Sequence, residues 1–155
     1  RGYQHFCRRL AESRRAGVIE ARQSDGPLGR IGTLIFKRLQ KPAYIYTGHL
    51  WWRQPEGFLT WTIVDGEHGT TGVREAVVAK ELLDAGELTI ESYERLWAAD
   101  PYDPDYSGVD RSVLRFISDD ERYDELFPEH PLSKLRQVLA ALPHAIQVEP
   151  GSTRT

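Results

Sequence analysis

The chain has 155 residues, 40% of them hydrophobic, which is enough for one enclosed core and short of what two independently stable domains require. With 20 lysines and arginines against 23 acids the net charge is -3, so no overall positive field draws in nucleic acid or an anionic membrane. The single cysteine, Cys7, excludes an internal disulfide framework and a multi-cysteine zinc site, and no apolar stretch approaches the roughly 18 residues of a membrane span, so a soluble cytoplasmic protein is expected.

There is no methionine, even at position 1, so a longer product is expected. Residues 3–16 carry Phe6, Leu10 and Ala11 at helical spacing and predict an amphipathic helix with Arg8, Arg9, Arg14 and Arg15 on its outer side, stopped at Gly17. Residues 18–23 and 33–39 read as strands, separated by a turn over 24–32 rich in Asp, Gly and Pro. The strongest strand signals are 43–53 and 58–65, dense in aromatic and β-branched side chains and joined by Gln54-Pro55-Glu56-Gly57.

From Val73 the period becomes helical: 73–85 closed by Gly86, then 90–99 capped by Thr89. Two prolines and several aspartates make 100–108 a surface loop. Ser118 and Glu121 have capping-box spacing and predict a short helix over 119–127. A last helix over 133–142 aligns Leu135, Val138, Leu139 and Leu142, with Pro143 as its stop. Residues 145–149 are a candidate fifth, edge strand, and 151–155 read as a loose tail. The fold class is α+β: residues 1–150 form one domain in which a four-stranded antiparallel sheet packs against several helices, the N-terminal helix coming first.

Taking residues 53–57 as the hairpin tip sets Trp52 opposite Phe58, His49 opposite Trp61 and Ile45 opposite Asp65. One face then holds Thr47, His49, Trp51, Leu59, Trp61, Ile63 and Asp65; the other holds Tyr46, Leu50, Trp52, Phe58, Thr60 and Val64. With large aromatics on both, one face packs on helices and the other is covered by a terminal helix or used for binding.

Chemistry concentrates where the second hairpin runs into a helix. Asp65, Glu67 and His68 precede Gly69-Thr70-Thr71-Gly72, whose amides at a helix start form a candidate anion-binding loop together with Arg74. The spacing matches neither the lysine-bearing phosphate loop nor the dinucleotide glycine fingerprint, so a cap on the following helix by Thr70 or Thr71 competes with that reading. Glu75 falls on the helix arc that carries Ala76, Val78, Ala79, Leu82 and Leu83, where a carboxylate needs a partner or a raised pKa. His49, His68 and Glu75 are the candidate catalytic residues; with Asp65 and Glu67 they supply the side chains of an acid–base centre or a two-histidine, carboxylate metal site. No histidine pair has the spacing of a helical zinc motif, and no cofactor or metal is expected. Asp103, Asp105 and Ser107 start like a calcium loop, but its twelfth position is Leu114, which leaves an acidic connector in which Asp110 or Ser107 caps the next turn.

Trp51, Trp52, Tyr102, Tyr106 and Tyr123 form a candidate partner surface, aromatic beside acidic residues and opposed to the basic first helix. Two functional expectations follow. The first is a protein-interaction or accessory domain without a catalytic motif. The alternative is a small acid–base enzyme or anionic-ligand-binding protein that uses the segment from Asp65 to Glu75.

Overall fold

The computed structural model describes residues 2–26 and 29–145. Helix α1 (Gly2–Glu12) is followed by strands β1 (Gly17–Gly26), β2 (Gly29–Gln40), β3 (Ala43–Gln54) and β4 (Gly57–Gly66), which form one antiparallel sheet in chain order. Helices α2 (Val73–Asp84) and α3 (Ile90–Leu96), a two-residue ladder of β5 (Ala98–Ala99) with β6 (Arg115–Phe116), three short 3-10 turns and helix α4 (Pro131–Ala145) complete it. The expected α+β class, with its four-stranded antiparallel sheet and leading helix, is what the chain adopts. The candidate strand at 145–149 lies outside the described residues apart from Ala145, the end of α4, and so does the tail. Among the described residues no helix is long and apolar enough to cross a membrane.

Both sheet faces are covered, which is why both carry large side chains. On one, Ile31, Ile35, Tyr46, Leu50 and Trp52 pack under Leu132, Leu135 and Leu139 of α4. On the other, Val18, Ala21, Leu34 and Phe36 meet Cys7 and Ala11 of α1. A third cluster, of Val78 and Leu82 from α2 with Leu88, Trp97, Leu114 and Phe116, closes against Tyr44 at the end of the sheet. Gly48 sets how close α4 lies: a Cβ there would come within 2.9 Å of Leu135 Cδ2 and 3.0 Å of Leu139 Cδ1.

Several boundaries move. Most of the expected turn at 24–32 is strand, because β1 and β2 extend to a tip at Gly26 and Gly29. Gly17 opens β1 instead of ending a helix, since α1 stops at Glu12 and turns through Arg15 at φ 55°. The hairpin between β3 and β4 has a two-residue tip, with Gln54 opposite Gly57 and Trp52 opposite Leu59, one residue away from the expected register. That slip exchanges the faces of β4. Trp61 and Ile63 join the α4 side, and Phe58, Thr60, Thr62 and Val64 lie on the side of His49 and Trp51.

The expected helix over 119–127 is a pair of 3-10 turns, Ile117–Asp119 and Glu121–Tyr123. Its side chains have other partners: Asp119 accepts from the Phe116 amide and from Lys37, while Asp120 caps the Arg122 amide. Helix α3 ends at Leu96, and α4 continues past Pro143 to Ala145. Leu135 anchors α4 on the sheet at 1% exposure, so Leu135→Ala is expected to lower the unfolding free energy by about 3 kcal/mol in urea titrations.

Candidate functional site

The loop from β4 into α2 is organised by one carboxylate. Glu67 Oε2 accepts from the Tyr44 amide at 2.9 Å and Oε1 from the Gly72 amide at 3.0 Å, while the Glu67 amide donates to Tyr44 O. Gly72 stands at the N-cap with φ 73°, a left-handed conformation that glycine adopts at little cost, and no side chain caps the helix. Thr70 and Thr71 are therefore not the cap; the Thr71 hydroxyl faces Pro42 O at 3.4 Å. The amide expected to greet an external anion is held by Glu67, so the protein's own carboxylate fills that position.

Arg74, expected at a ligand, is 1% exposed and spent on the fold. Its Nε donates to Ser118 O at 2.6 Å, Nη1 to Ser133 Oγ at 2.9 Å, and Nη2 to Asp120 O and to Asp124 Oδ1 at 2.8 Å. Arg136 also reaches Asp124, at 2.9 and 3.1 Å, so α2, the 3-10 turns and α4 are tied at one carboxylate. The buried face of α2 runs through Arg74, Val78 and Leu82, with Glu75 half-buried beside it, whereas Ala76 and Leu83 from the expected arc are exposed.

Behind Glu67 lies a polar pocket that the sequence shows only in fragments. Lys37 and Asp119 are both 0% exposed and meet at 2.5 Å, with the ammonium 3.1 Å from the centre of the Phe116 ring. Burial pushes the Lys37 ammonium below its ordinary pKa, against the pull of Asp119, Glu75 and Glu67. Next to this pair, both Glu75 oxygens, Tyr46 Oη, Asp119 Oδ1 and His130 Nε2 are buried with no hydrogen-bond partner among the described residues. Burial, with Asp119 and Glu67 nearby, raises the Glu75 carboxyl above its usual range, and its own backbone amide and Lys37 offset this only in part. Glu67 goes the other way: burial raises it, but His130 and the Gly72 and Tyr44 amides outweigh that and hold it low.

His130 precedes α4, and its Nδ1 accepts from the Leu132 amide at 3.2 Å. A neutral ring accepting at Nδ1 carries its proton on Nε2, a tautomer assigned here from that bond. The Nε2–H faces Glu67 Oε1 at 3.8 Å, too far for a hydrogen bond, and the ring stands edge-on to Tyr46 with centroids 5.3 Å apart. Ligand-type atoms of Glu67, Glu75 and His130 lie within 4.8 Å of one another, the spacing of a cation site. The Leu132 amide works against that use, since a metal on Nε2 would move the ring proton to Nδ1 and set two N–H groups face to face.

A cleft of 310 Å³ opens above this cluster, lined among others by Asp65, Glu67, His68, Glu129, His130 and Lys134. Glu67 and His130 are its floor, with side chains 6% and 10% exposed. Glu75 sits behind them. His68 stands at the mouth, 87% exposed and 3.7 Å from Asp65 Oδ1. His49 is elsewhere: it bonds Thr62 Oγ1 at 2.9 Å and stacks on Trp51 on the α1 side of the sheet, where burial and then Arg14 lower its pKa. The three expected catalytic residues thus do not converge; Glu75 is at the cluster, and His130 occupies the place given to His49 or His68.

The candidate partner residues are inside or engaged. Trp52 is 2% exposed, and the Tyr102 hydroxyl both accepts from the Ala21 amide at 2.6 Å and donates to Ala21 O at 3.0 Å. Arg8 lies over the Tyr106 ring, and Arg122 over Tyr123. The acidic connector and the basic helix pair with each other through Arg8, at 3.0 Å from Asp100 and 3.7 Å from Asp103. Asp110 caps the next turn at the Ser112 amide, as its position suggests.

Lys37, Tyr46, Asp119 and His130 are absent from the sequence-derived site. Alternation through Ile31, Thr33 and Ile35 puts Lys37 on an inward face, and a histidine before Pro131, the first residue of α4, marks a helix start. Comparisons with protein-family models, curated proteins and solved structures find no match.

Arg74→Ala would leave Ser118 O, Asp120 O and Ser133 Oγ without this donor while Asp124 keeps Arg136, so a loss of roughly 2–4 kcal/mol is expected. Equilibrium denaturation measures it, and a loss below about 1 kcal/mol would show that the clasp is not structural.

Proposed function

We propose that the protein is a small acid–base enzyme acting on a polar molecule bound in the cleft of Glu67 and His130, with Glu75 as the proton-holding carboxyl behind them. One observation carries this reading: His130 Nε2 and both oxygens of Glu75 are buried with no hydrogen-bond partner among the described residues, and ligand-type atoms of Glu67, Glu75 and His130 lie within 4.8 Å of one another behind an open cleft that Glu67 and His130 line. Unpaired buried polar atoms are costly, and their concentration at one spot is a feature of reactive sites more than of cores.

The roles follow from geometry. Glu67 and His130 line the cleft and would touch the bound molecule, Glu67 as a charged acceptor and His130 as an N–H donor. Tyr46 and the Lys37–Asp119 pair fix the electrostatic setting beneath them. His130 is oriented by the helix-start bond to Leu132, which occupies Nδ1, so it serves as a fixed Nε2–H donor; the proton held by Glu75 is exchanged with the cleft through Glu67, whose carboxylate lies within 4.8 Å of it. Asp65, Glu67 and Glu129 share the lining with Arg74 and Lys134, and Lys134 pairs with Glu129 at 3.0 Å, so the nearly balanced charge favours a neutral polar molecule.

Two measurements test it. In wild type, a Glu75 pKa raised in the folded state gives stability that is full at low pH and lost as pH rises through the folded pKa. Glu75→Gln removes that decline: the variant and wild type converge in Tm at low pH, and the variant becomes the more stable of the two as pH rises. Turnover of small esters, amides and amines is then compared across wild type and His130→Gln, with a loss on the order of 10²–10⁴ expected in the variant. Parallel pH–stability curves for wild type and Glu75→Gln, together with no compound perturbing the amide resonances of the cleft, would sink the proposal.

A further inference from the structure

The two edges of the sheet are treated differently. Along β1, the Tyr102 hydroxyl takes both the amide and the carbonyl of Ala21, and Gly17 lies so close to Val113 that a Cβ would meet its carbonyl oxygen at 2.0 Å. Along β4, pairing is to β3 alone, and among the described residues no loop or side chain bonds the outward backbone of residues 58–64. A ten-residue edge of this kind is usually guarded by lysine, proline or an inward-pointing charge. β4 holds none of these, its one charged side chain being Asp65 near its end.

Its sequence also reads alike in both directions. Around Trp61 the pattern Phe58-Leu59-Thr60-Trp61-Thr62-Ile63-Val64 places apolar, apolar, Thr on one flank and Thr, apolar, apolar on the other. An antiparallel strand that pairs with its own copy across a two-fold axis must be complementary to its own reverse, and this one is. With Trp61 on the axis, Phe58 lies opposite Val64 of the second copy, Leu59 opposite Ile63, and Thr60 opposite Thr62. Asp65 then faces Gly57, so no like charges oppose each other.

Exposure agrees with the pattern. Phe58 and Val64 are 69% and 60% exposed, lie on the same sheet face and are brought together by this register. Continuous with them, Phe6, Trp51 and Phe58 line a 530 Å³ groove beside α1, whose lining also includes Arg30 and Arg53. We infer that β4 is the interface of a two-fold dimer of this chain, formed by antiparallel pairing of β4 with β4 about Trp61 into one eight-stranded sheet. This interface meets the cleft only at the end of β4, where Asp65 and Gly66 lie on the cleft's lining.

Sedimentation of the full chain over a range of concentrations tests it with two double variants of similar size. Phe58→Lys with Val64→Lys sets lysine against lysine twice across the axis, whereas Phe58→Glu with Val64→Lys sets glutamate against lysine twice. Wild type is expected to dimerise, the first variant to associate at least roughly tenfold more weakly than the second, and both to denature at similar midpoints because these side chains are exposed in the single chain. Protection of the residue 58–64 amides from hydrogen exchange should rise with wild-type concentration, which keeps the test valid if a variant fails to fold. A wild-type chain that stays monomeric throughout, two variants that associate equally, or amides of 58–64 that pair only when a different protein is present would each overturn the inference.

Discussion

The Lys37–Asp119 contact is the interaction on which the C-terminal half depends. A lysine at the inward position of a central strand has to be neutralised where it stands, and the acid that bonds it, Asp119, comes from 82 residues away in the chain. Asp119 meets that need while its second bond to the Phe116 amide bends the chain into a 3-10 turn. The rings of Tyr44 and Phe116 enclose the ammonium. Arg74 then locks the same turns to α4 through Ser118, Asp120, Ser133 and Asp124. These polar clasps act with the apolar contacts of Leu132, Leu135 and Leu139 on the sheet and of Val78 and Leu82 in the third cluster to fix where α4 and α2 sit.

Those clasps create the chemistry beside them. Enclosing Lys37 with one acid, while Glu67 and Glu75 approach the same space, leaves more carboxylates than cations in a region with little water. Glu67 escapes the resulting penalty by accepting two backbone amides, and Glu75 has no comparable partners and holds its proton more tightly. Two carboxyls a few ångströms apart with opposite tendencies give an acid and an acceptor in one site, with Glu67 and His130 lining the cleft and Glu75 behind them.

Much of the architecture was legible because its signals are local. The 3.6 and 2.0 periodicities, the Thr89 cap and the glycine after α2 locate helices and strands directly. Glu75 was legible as an oddity, a carboxylate near an apolar stripe. What stayed hidden depends on distant partners. Nothing near Asp119 in the chain announces Lys37, and an apparent capping box at Ser118 loses to that pairing. The hairpin register shifted because Pro55-Glu56 alone make the tip, a difference of one residue that moves Trp61 from one sheet face to the other. Arg74 read as a ligand contact because a charge at a helix start is more often solvated than enclosed.

The Tyr102 hydroxyl on β1 has an effect beyond fastening a loop to a strand. By occupying the outward groups of Ala21 it leaves the sheet able to grow in one direction only. Two molecules joined at their bare sides would each present a sealed flank to solvent, so assembly ends at a closed pair. A ribbon free to extend at both flanks would have no such stop, and would be on the road to filaments.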